Sequence, residues 1–211
     1  MFGTQHLWLF VVSGVLLNIT PGQDTLYIVT RSVAQGRRAG FWSVLGISTG
    51  SIVHTLAAAF GLSAVLATSA SAFIVVKLVG AAYLVYLGVK MLMERPSPSP
   101  GLGVEPAFRH ESAWAIYRSA VLTNVLNPKV ALFFLAFLPQ FVAPGAASHV
   151  VPFLFLGAVF IFNGTLWCLV LVLGASALSG RLRHNASGAR RLRQATGAVF
   201  VGLGARLALS K

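Results

Sequence analysis

Two long stretches without a charged side chain constrain this sequence most. No Asp, Glu, Lys or Arg occurs in the 38 residues between Arg38 and Lys77, or in the 51 residues between Lys129 and Arg181. A helix needs about 20 apolar residues to cross a membrane, so each stretch has room for two spans. The composition agrees, since 56% of the 211 residues are apolar and only 9% are charged. This excludes a water-soluble enzyme, a disordered chain and a disulfide scaffold, and it predicts a polytopic membrane protein.

We predict an all-α fold with six membrane-spanning helices. The segment before the first span lacks the positive start of a secretory signal, so this span is expected to be retained. The last span contains Arg206, whose long side chain can reach the membrane surface. The approximate bounds of the six spans are 7–29, 41–66, 73–93, 114–138, 151–178 and 192–209.

The basic residues predict how the chain is oriented in the membrane. The net charge is +12, and the Lys and Arg residues cluster after the first, third and fifth spans. Short basic loops between apolar runs are typical of the positive-inside rule, which favours a lipid bilayer over nucleic acid as the partner. We therefore predict a membrane protein whose three basic loops are cytoplasmic and whose termini both lie outside.

A short internal repeat divides the chain into two halves. The sequence SGVLL at 13–17 resembles SAVLT at 119–123. An asparagine follows each segment, at Asn18 and Asn124, and a proline comes three or four residues later, at Pro21 and Pro128. Residues 1–95 and 112–211 would each hold three spans, joined by a Pro-rich cytoplasmic linker at 96–111. Because three is odd, the second half must enter the membrane in the opposite sense, as in the inverted repeats of many secondary transporters.

The two prolines predict breaks near the middle of their spans. Proline lacks an N–H, and inside a membrane the backbone groups that it frees must find partners or line a wet cavity. Thr20 and Asn127 are good N-caps, and Gln23 stands at the capping-box distance from Thr20. We expect two new helix N-termini that face each other and bind a small anion or zwitterion. The alternative is a pair of kinks that only shape packing.

Two ionisable residues follow these breaks. Asp24 is expected to hold a substrate ammonium or a coupling proton, or only to cap its helix. Lys129 is expected to meet a substrate carboxylate or to pair with Asp24 across the repeat. Asn18 and Asn124 are expected to bridge freed backbone groups. Pro21, Gly22, Asn127 and Pro128 would shape the central site.

Three further polar residues lie in predicted spans. Gly46, Gly50 and His54 are spaced by four residues, so they share a helix face that predicts a close helix contact. His54 is either a proton relay or a packed, hydrogen-bonded side chain. Asn163 is interpreted as an interhelical contact, and the alternative is a substrate contact. Cys168 is interpreted as a small packing residue.

The sequence contains no HExxH, GxSxG or P-loop motif, and four acidic residues are too few for a carboxylate-rich metal site. We therefore expect a transporter driven by an ion gradient, with no enzymatic activity and no cofactor. A membrane-embedded electron or metal carrier and a passive pore are the alternatives. The sequence is also compatible with a homodimer.

These motifs together resemble the LysE/RhtB family of bacterial amino-acid exporters. The resemblance rests on Asn18 to Gly22 (NITPG), Gly36 to Gly40 (GRRAG), Gly46, Gly50, Lys77 to Gly88 (KLVGAAYLVYLG), Asn127 to Lys129 (NPK), Phe133, Phe134 and Leu138 to Phe141 (LPQF). It covers nearly the whole chain, although Gln23 replaces the second proline of the Pro-Gly-Pro found in many members. The resemblance implies a six-span exporter that moves an amino acid or close derivative outward, coupled to the proton gradient.

Overall fold

The computed structural model describes residues 2–64, 70–93, 111–143, 146, 148 and 150–184, with isolated positions between 194 and 209. This part of the chain forms seven α-helices and, apart from one bridge between Thr4 and Val142, no β-structure. The all-α prediction is therefore confirmed for the described residues. The helices are α1 (Leu7–Ile19), α2 (Gln23–Gln35), α3 (Arg37–Leu56), α4 (Ala70–Met93), α5 (Ala113–Val125), α6 (Pro128–Ala136) and α7 (Val150–His184).

Two helical segments in the described residues are long and apolar enough to cross a membrane. One is Arg37–Leu62, in which α3 continues through a π-helical turn, and the other is Val150–Ala175. A third candidate combines α5 with Pro128–Phe141, two helices that meet at a bend of 50°. Six spans are therefore not established. The predicted span 192–209 and the predicted linker lie outside the described residues, except for isolated helical positions and Glu111.

Both predicted breaks are present. α1 ends at Ile19 and α2 begins at Gln23, so that residues 20–22 interrupt the first predicted span. α5 ends at Val125, and α6 begins at Pro128. Proline at the first position of α6 has the backbone angle that a helix start requires and needs no hydrogen-bond acceptor. The sequence therefore predicted both breaks and the start of α6 correctly, but α2 begins at Gln23 and not at Pro21 as expected.

Two separate apolar clusters form the core. The larger is rich in phenylalanine and joins the start of α1 to α6 and to the first half of α7. Its rings pack closely, with centroids 5.2 Å apart for Phe10 and Phe141 and 5.1 Å apart for Phe133 and Phe160. The smaller cluster joins α2, α3 and α5 to the second half of α7 through aliphatic side chains such as Ile28, Val44 and Leu171.

The two predicted halves pack tightly against each other. α3 from the first half packs mainly on α5 and α7 from the second, and α4 packs on α6. The contact between α3 and α5 is closest at Gly46, where an added Cβ would lie 2.5 Å from the carbonyl oxygen of Tyr117 and from the Cβ of Ala120. Gly50 faces Asn124 in the same interface. The predicted close helix contact is confirmed, and its partner is α5.

Replacement of Gly46 by alanine is expected to lower the free energy of unfolding by about 1–3 kcal/mol, as overpacking of a close-packed interface does. The main-chain oxygen of Tyr117 cannot rotate away as a side chain can. Gly61→Ala is the matched control, because a Cβ added to Gly61, on the π-helical turn, would have no neighbour within 4 Å. Thermal unfolding of the purified proteins in detergent measures the difference, and equal melting temperatures would contradict the packing argument.

Candidate functional site

The first break leaves carbonyl groups of α1 without a helical partner. Pro21 has no N–H, so the carbonyl of Leu17, four residues earlier, loses its usual donor. The ammonium group of Lys129 donates to this oxygen at 3.1 Å and to the carbonyl of Thr20 at 3.0 Å. A lysine from the second break thus caps the end of α1, where the helix dipole favours a positive charge.

The prediction that Thr20 caps the following helix is wrong. The Thr20 hydroxyl instead donates to the carbonyl of Leu16 at 2.7 Å and closes the last turn of α1. The N-cap of α2 is Gly22, which has an extended backbone and no side chain to accept a hydrogen bond. Gln23 is exposed on the first turn of α2. The main-chain N–H groups of this turn therefore lack the side-chain cap that the sequence predicted.

The second break is built differently, because α6 caps itself. The side-chain oxygen of Asn127 accepts from the N–H of Lys129 at 3.0 Å, as the sequence predicted. The Asn127 carbonyl accepts from Val130 and Ala131 at 3.1 and 3.0 Å, and Pro128 has no N–H to satisfy. Every N–H in this described turn therefore has an acceptor. The expected pair of open helix N-termini is reduced to one, at the start of α2.

His54 satisfies a carbonyl that the second break sets free. Pro128 deprives the carbonyl of Asn124 of its helical donor, and His54 Nε2 lies 3.1 Å from this oxygen. The N–H of Asn127 donates to the same oxygen at 2.9 Å. A carbonyl can only accept, so Nε2 bears the hydrogen in this contact. The His54 ring also lies 5.7 Å from that of Phe134, and of the two alternatives the geometry favours the packed, hydrogen-bonded histidine.

Asp24 is held by the side chain of Asn124, which donates from Nδ2 to Asp24 Oδ2 at 2.9 Å. Asn124 in turn accepts a longer bond of 3.4 Å from the Ser51 hydroxyl. The Asn124 side chain thus orients a carboxylate. The expectation that it bridges freed backbone groups is wrong. Asp24 Oδ1 is buried and has no hydrogen-bond partner in the described part of the chain, although the amide of Asn127 lies nearby.

A small cavity of about 30 Å³ lies beside Asp24, between the two apolar clusters. This is room for roughly two water molecules, at about 10–15 Å³ each. Its polar wall comprises Asn18, Asp24, Thr25, Ser48, Ser51, Asn124, Lys129 and Thr165. Its apolar wall includes Leu17, Ile47, Val130, Phe160, Ile161 and Trp167. Both predicted breaks and both ionisable residues therefore meet at one site.

The two charged groups share this cavity without pairing. Asp24 and Lys129 are both described, and no oxygen of the first lies within 4.0 Å of the nitrogen of the second. Asn18 lies against Gly164 of α7, and its Nδ2 is buried without a partner among the described residues. The cavity thus offers a carboxylate oxygen and an amide that have unused hydrogen-bonding capacity.

Most predicted site residues lie in or next to the cavity, but Asn163 does not. It is half-buried on α7, and its neighbours Gly164 and Thr165 line the cavity in its place. The sequence analysis missed the hydroxyl groups of Ser48 and Thr165, which lie 2.9 Å apart across α3 and α7. Hydroxyl residues at positions 48, 51 and 55 share one helix face, and this spacing was the available signal.

An ion pair joins α2 to the start of α5, at the end of α2 away from the cavity. Arg31 donates to the Glu111 carboxylate at 2.8 Å; its side chain is 9% exposed, and that of Glu111 is 37% exposed. One turn nearer the cavity, the Tyr27 hydroxyl donates to the carbonyl of Ile116 at 2.9 Å. These contacts tie the two halves together beyond the smaller apolar cluster.

Among the described residues, no three His, Cys, Asp or Glu side chains lie close enough together to hold a metal ion. Cys168 is buried, has no disulfide partner and lines the cavity. It is therefore a wall residue of the site.

Comparison with known proteins identifies the family. The LysE type translocator family matches residues 15–211. An uncharacterized membrane protein of Vibrio cholerae is 32% identical, with 98% of each chain covered. Leucine efflux proteins of Enterobacter sp. and Salmonella paratyphi A are 30% and 26% identical, with 98% of this chain and 97% and 96% of theirs covered.

No solved structure matches the chain significantly. The matched relatives are bacterial membrane proteins and transporters, which supports a bacterial membrane as the location of this protein. The sequence motifs at the two breaks indicate the same family as the match over residues 15–211. The chain therefore belongs to the LysE family of translocators, which are transporters and not enzymes.

Proposed function

We propose that this protein exports a neutral amino acid across the bacterial inner membrane in exchange for protons. The observation on which this proposal rests is the small cavity that contains one carboxylate, Asp24, and one ammonium, Lys129, between two apolar clusters. A zwitterionic amino acid has the complementary pair of charges. The apolar wall of the same cavity suits an aliphatic side chain.

The charge inventory argues for a neutral side chain on the substrate. Asp24 is the only acidic residue outside positions 94–111, so the second cation of a basic amino acid would find no carboxylate in the cavity. A buried, unpaired charge is costly, which disfavours such a substrate. Two relatives that are named leucine efflux proteins support the same substrate class.

Exchange with protons follows from the unpaired oxygen of Asp24. In a cavity of this size, Oδ1 can bind the substrate ammonium or a proton, but not both together. Asn124 fixes the other oxygen, so the carboxylate stays in place for either ligand. Competition for one carboxylate makes outward movement of the amino acid depend on inward movement of a proton.

Alternating access is required because an amino acid is several times larger than the cavity. Residues 1–95 and 112–211, as two inverted three-helix repeats, would rock against each other about the two breaks. The outer closure would be the phenylalanine cluster, together with the hydrogen bonds from Gln5 to Phe141 and from Ala143 to Gly3, both 2.8 Å. The inner closure would be the aliphatic cluster and the contacts of Arg31 and Tyr27. In this orientation both termini lie outside.

Transport into inside-out vesicles tests the function. A panel of labelled amino acids is offered with and without an imposed pH gradient, and we expect accumulation of neutral aliphatic amino acids that requires the gradient. Flux that ignores the gradient would indicate a passive pore and contradict the proposal. Loss of all flux in a Cys168→Ala variant would instead favour a thiol-based carrier.

The inner closure makes a separate prediction, for which the single cysteine is the reporter. Glu111→Gln removes the partner of Arg31, and a partly exposed ion pair contributes about 1 kcal/mol, so the inward-open population should rise about fivefold. Cys168 lines the cavity, so its rate of modification by a charged thiol reagent in inside-out vesicles reports this opening. Arg37→Gln, at an exposed position, is the control for charge. Equal labelling rates would argue against a gate at Glu111.

A further inference from the structure

The buried ammonium of Lys129 has an unusual set of partners. Two of its three N–H donors bond to carbonyl oxygens of the first break, those of Leu17 and Thr20. The carboxylate that shares its cavity, Asp24, is not among its partners within 4.0 Å. Of the titratable side chains, Asp24 from α2 and Cys168 from α7 line the same cavity, and His54 from α3 bonds to Asn124, the partner of Asp24. Lys129 therefore joins the two halves through main-chain groups alone.

Gly22 provides the space for this arrangement. A Cβ on Gly22 would lie 3.0 Å from Lys129 Nζ and 3.4 Å from its Cε. The backbone of Gly22 is extended, at φ −155° and ψ −171°, which any residue can adopt. Its absence of a side chain is thus explained by the proximity of Lys129 and not by backbone strain.

We propose that Lys129 is the residue that senses the substrate's α-carboxylate and releases the first break when that carboxylate arrives. This inference rests on the proposed function and assigns one of its charges. In the closed form the ammonium holds the end of α1 to the start of α6. A substrate carboxylate first meets the third N–H donor in the cavity and then draws the ammonium away from the two carbonyls.

The direction of this exchange follows from the strength of the bonds. A carboxylate carries a full negative charge, whereas the carbonyl oxygens of Leu17 and Thr20 carry only a partial one, so the carboxylate attracts the ammonium more strongly than they do. When Lys129 moves, these carbonyls lose the cation that caps α1, and the hinge between α1 and α2 is free to turn. A ligand with an ammonium but no carboxylate would bind at Asp24 and leave this contact closed.

Leucine and leucinamide are the probes that separate binding from release. Leucinamide keeps the side chain and the ammonium but has a neutral amide in place of the carboxylate. We expect leucinamide to compete with leucine for binding to the wild-type protein, and a thermal shift measures this binding. In wild-type proteoliposomes we expect leucinamide to be transported at least about tenfold more slowly than leucine. Lys129→Gln should bind the two probes equally and lose at least about tenfold in leucine transport.

Two further variants keep the test informative if Lys129→Gln folds poorly. Gly22→Ala keeps the ammonium but places a Cβ 3.0 Å from Lys129 Nζ, which weakens its bonds to the two carbonyls, so this variant is expected to transport leucinamide faster than the wild type does. Lys90→Gln, at an exposed position on the last turn of α4, removes a lysine charge elsewhere and should leave both probes unaffected.

Two results would overturn the proposal, and they differ from each other. Lys129→Gln protein that still transports leucine at the wild-type rate, with its preference over leucinamide intact, overturns the role of Lys129 alone. Wild-type protein that neither binds nor transports leucine or any other amino acid of the panel overturns the proposed function, and the role of Lys129 with it.

Discussion

Replacement of Asp24 by asparagine is expected to reduce amino-acid export by about 100-fold, because loss of one partner from a buried, charged contact costs about 2–5 kcal/mol. Asparagine has the same shape, and its oxygen can still accept the hydrogen bond from Asn124 that the carboxylate accepts at 2.9 Å. The fold should therefore survive. The variant can neither attract an ammonium nor bind a proton, so both halves of the exchange fail.

Two assays distinguish binding of the substrate from binding of the proton. Export against a pH gradient measures the coupled reaction, and exchange of labelled for unlabelled substrate without a gradient measures binding and movement alone. If Asp24 binds both ligands, both assays fall; if it binds only the proton, exchange persists. Gln23→Ala is the control, because Gln23 is exposed on the same helical turn. Coupled export within twofold of wild type in the Asp24→Asn protein would remove Asp24 from the mechanism.

The sequence predicted the location of the site because proline acts locally. Pro21 and Pro128 each remove a helical hydrogen bond inside an apolar run, and the backbone groups freed in a membrane must find partners or water. Asp24 and Lys129 were found in this way. Asn127 was also predicted to be an N-cap, since its side chain bonds only two residues along the chain.

Long-range partners could not be predicted in the same way. The contacts of Lys129 with Leu17 and Thr20 span more than 100 residues, and no periodicity reports them. Thr20 illustrates a second limit, because its suitability as a cap does not decide which helix it caps. The hydroxyl closes α1, and Gly22 begins α2. Such choices depend on backbone angles that the whole fold determines.

The two breaks resemble each other in sequence but differ in structure. At the second break, Asn127 and His54 from α3 satisfy the main-chain groups locally, so no main-chain N–H of this described turn is left open. The first break lacks a side-chain cap at Gly22 and takes its cation from Lys129 in the other half. The second break is therefore rigid, whereas the first break depends on Lys129 from the other half. This difference is what allows a ligand to act on the first break while the second remains fixed.

Replacement of Pro128 by alanine is expected to separate activity from stability. Alanine can adopt the backbone angle that proline has at the first position of α6, so the variant should fold and insert about as well as the wild type. Its new N–H can donate to the carbonyl of Asn124, which now relies on His54 at 3.1 Å and Asn127 at 2.9 Å. The 50° bend between α5 and α6 would then relax towards a continuous helix.

This straightening would move Lys129 from the carbonyls of the first break and turn Asn124 away from Asp24. Displacement of binding groups by about 1 Å can cost about 100-fold in rate, and a loss of this order in export is expected for Pro128→Ala. Pro152→Ala is the matched control, since Pro152 lies in the first turn of α7, where a missing N–H breaks no helical bond. Membrane content and melting temperature would be measured with export. Normal export by a stable Pro128→Ala protein would mean that tertiary packing maintains the break, and that proline is not its cause.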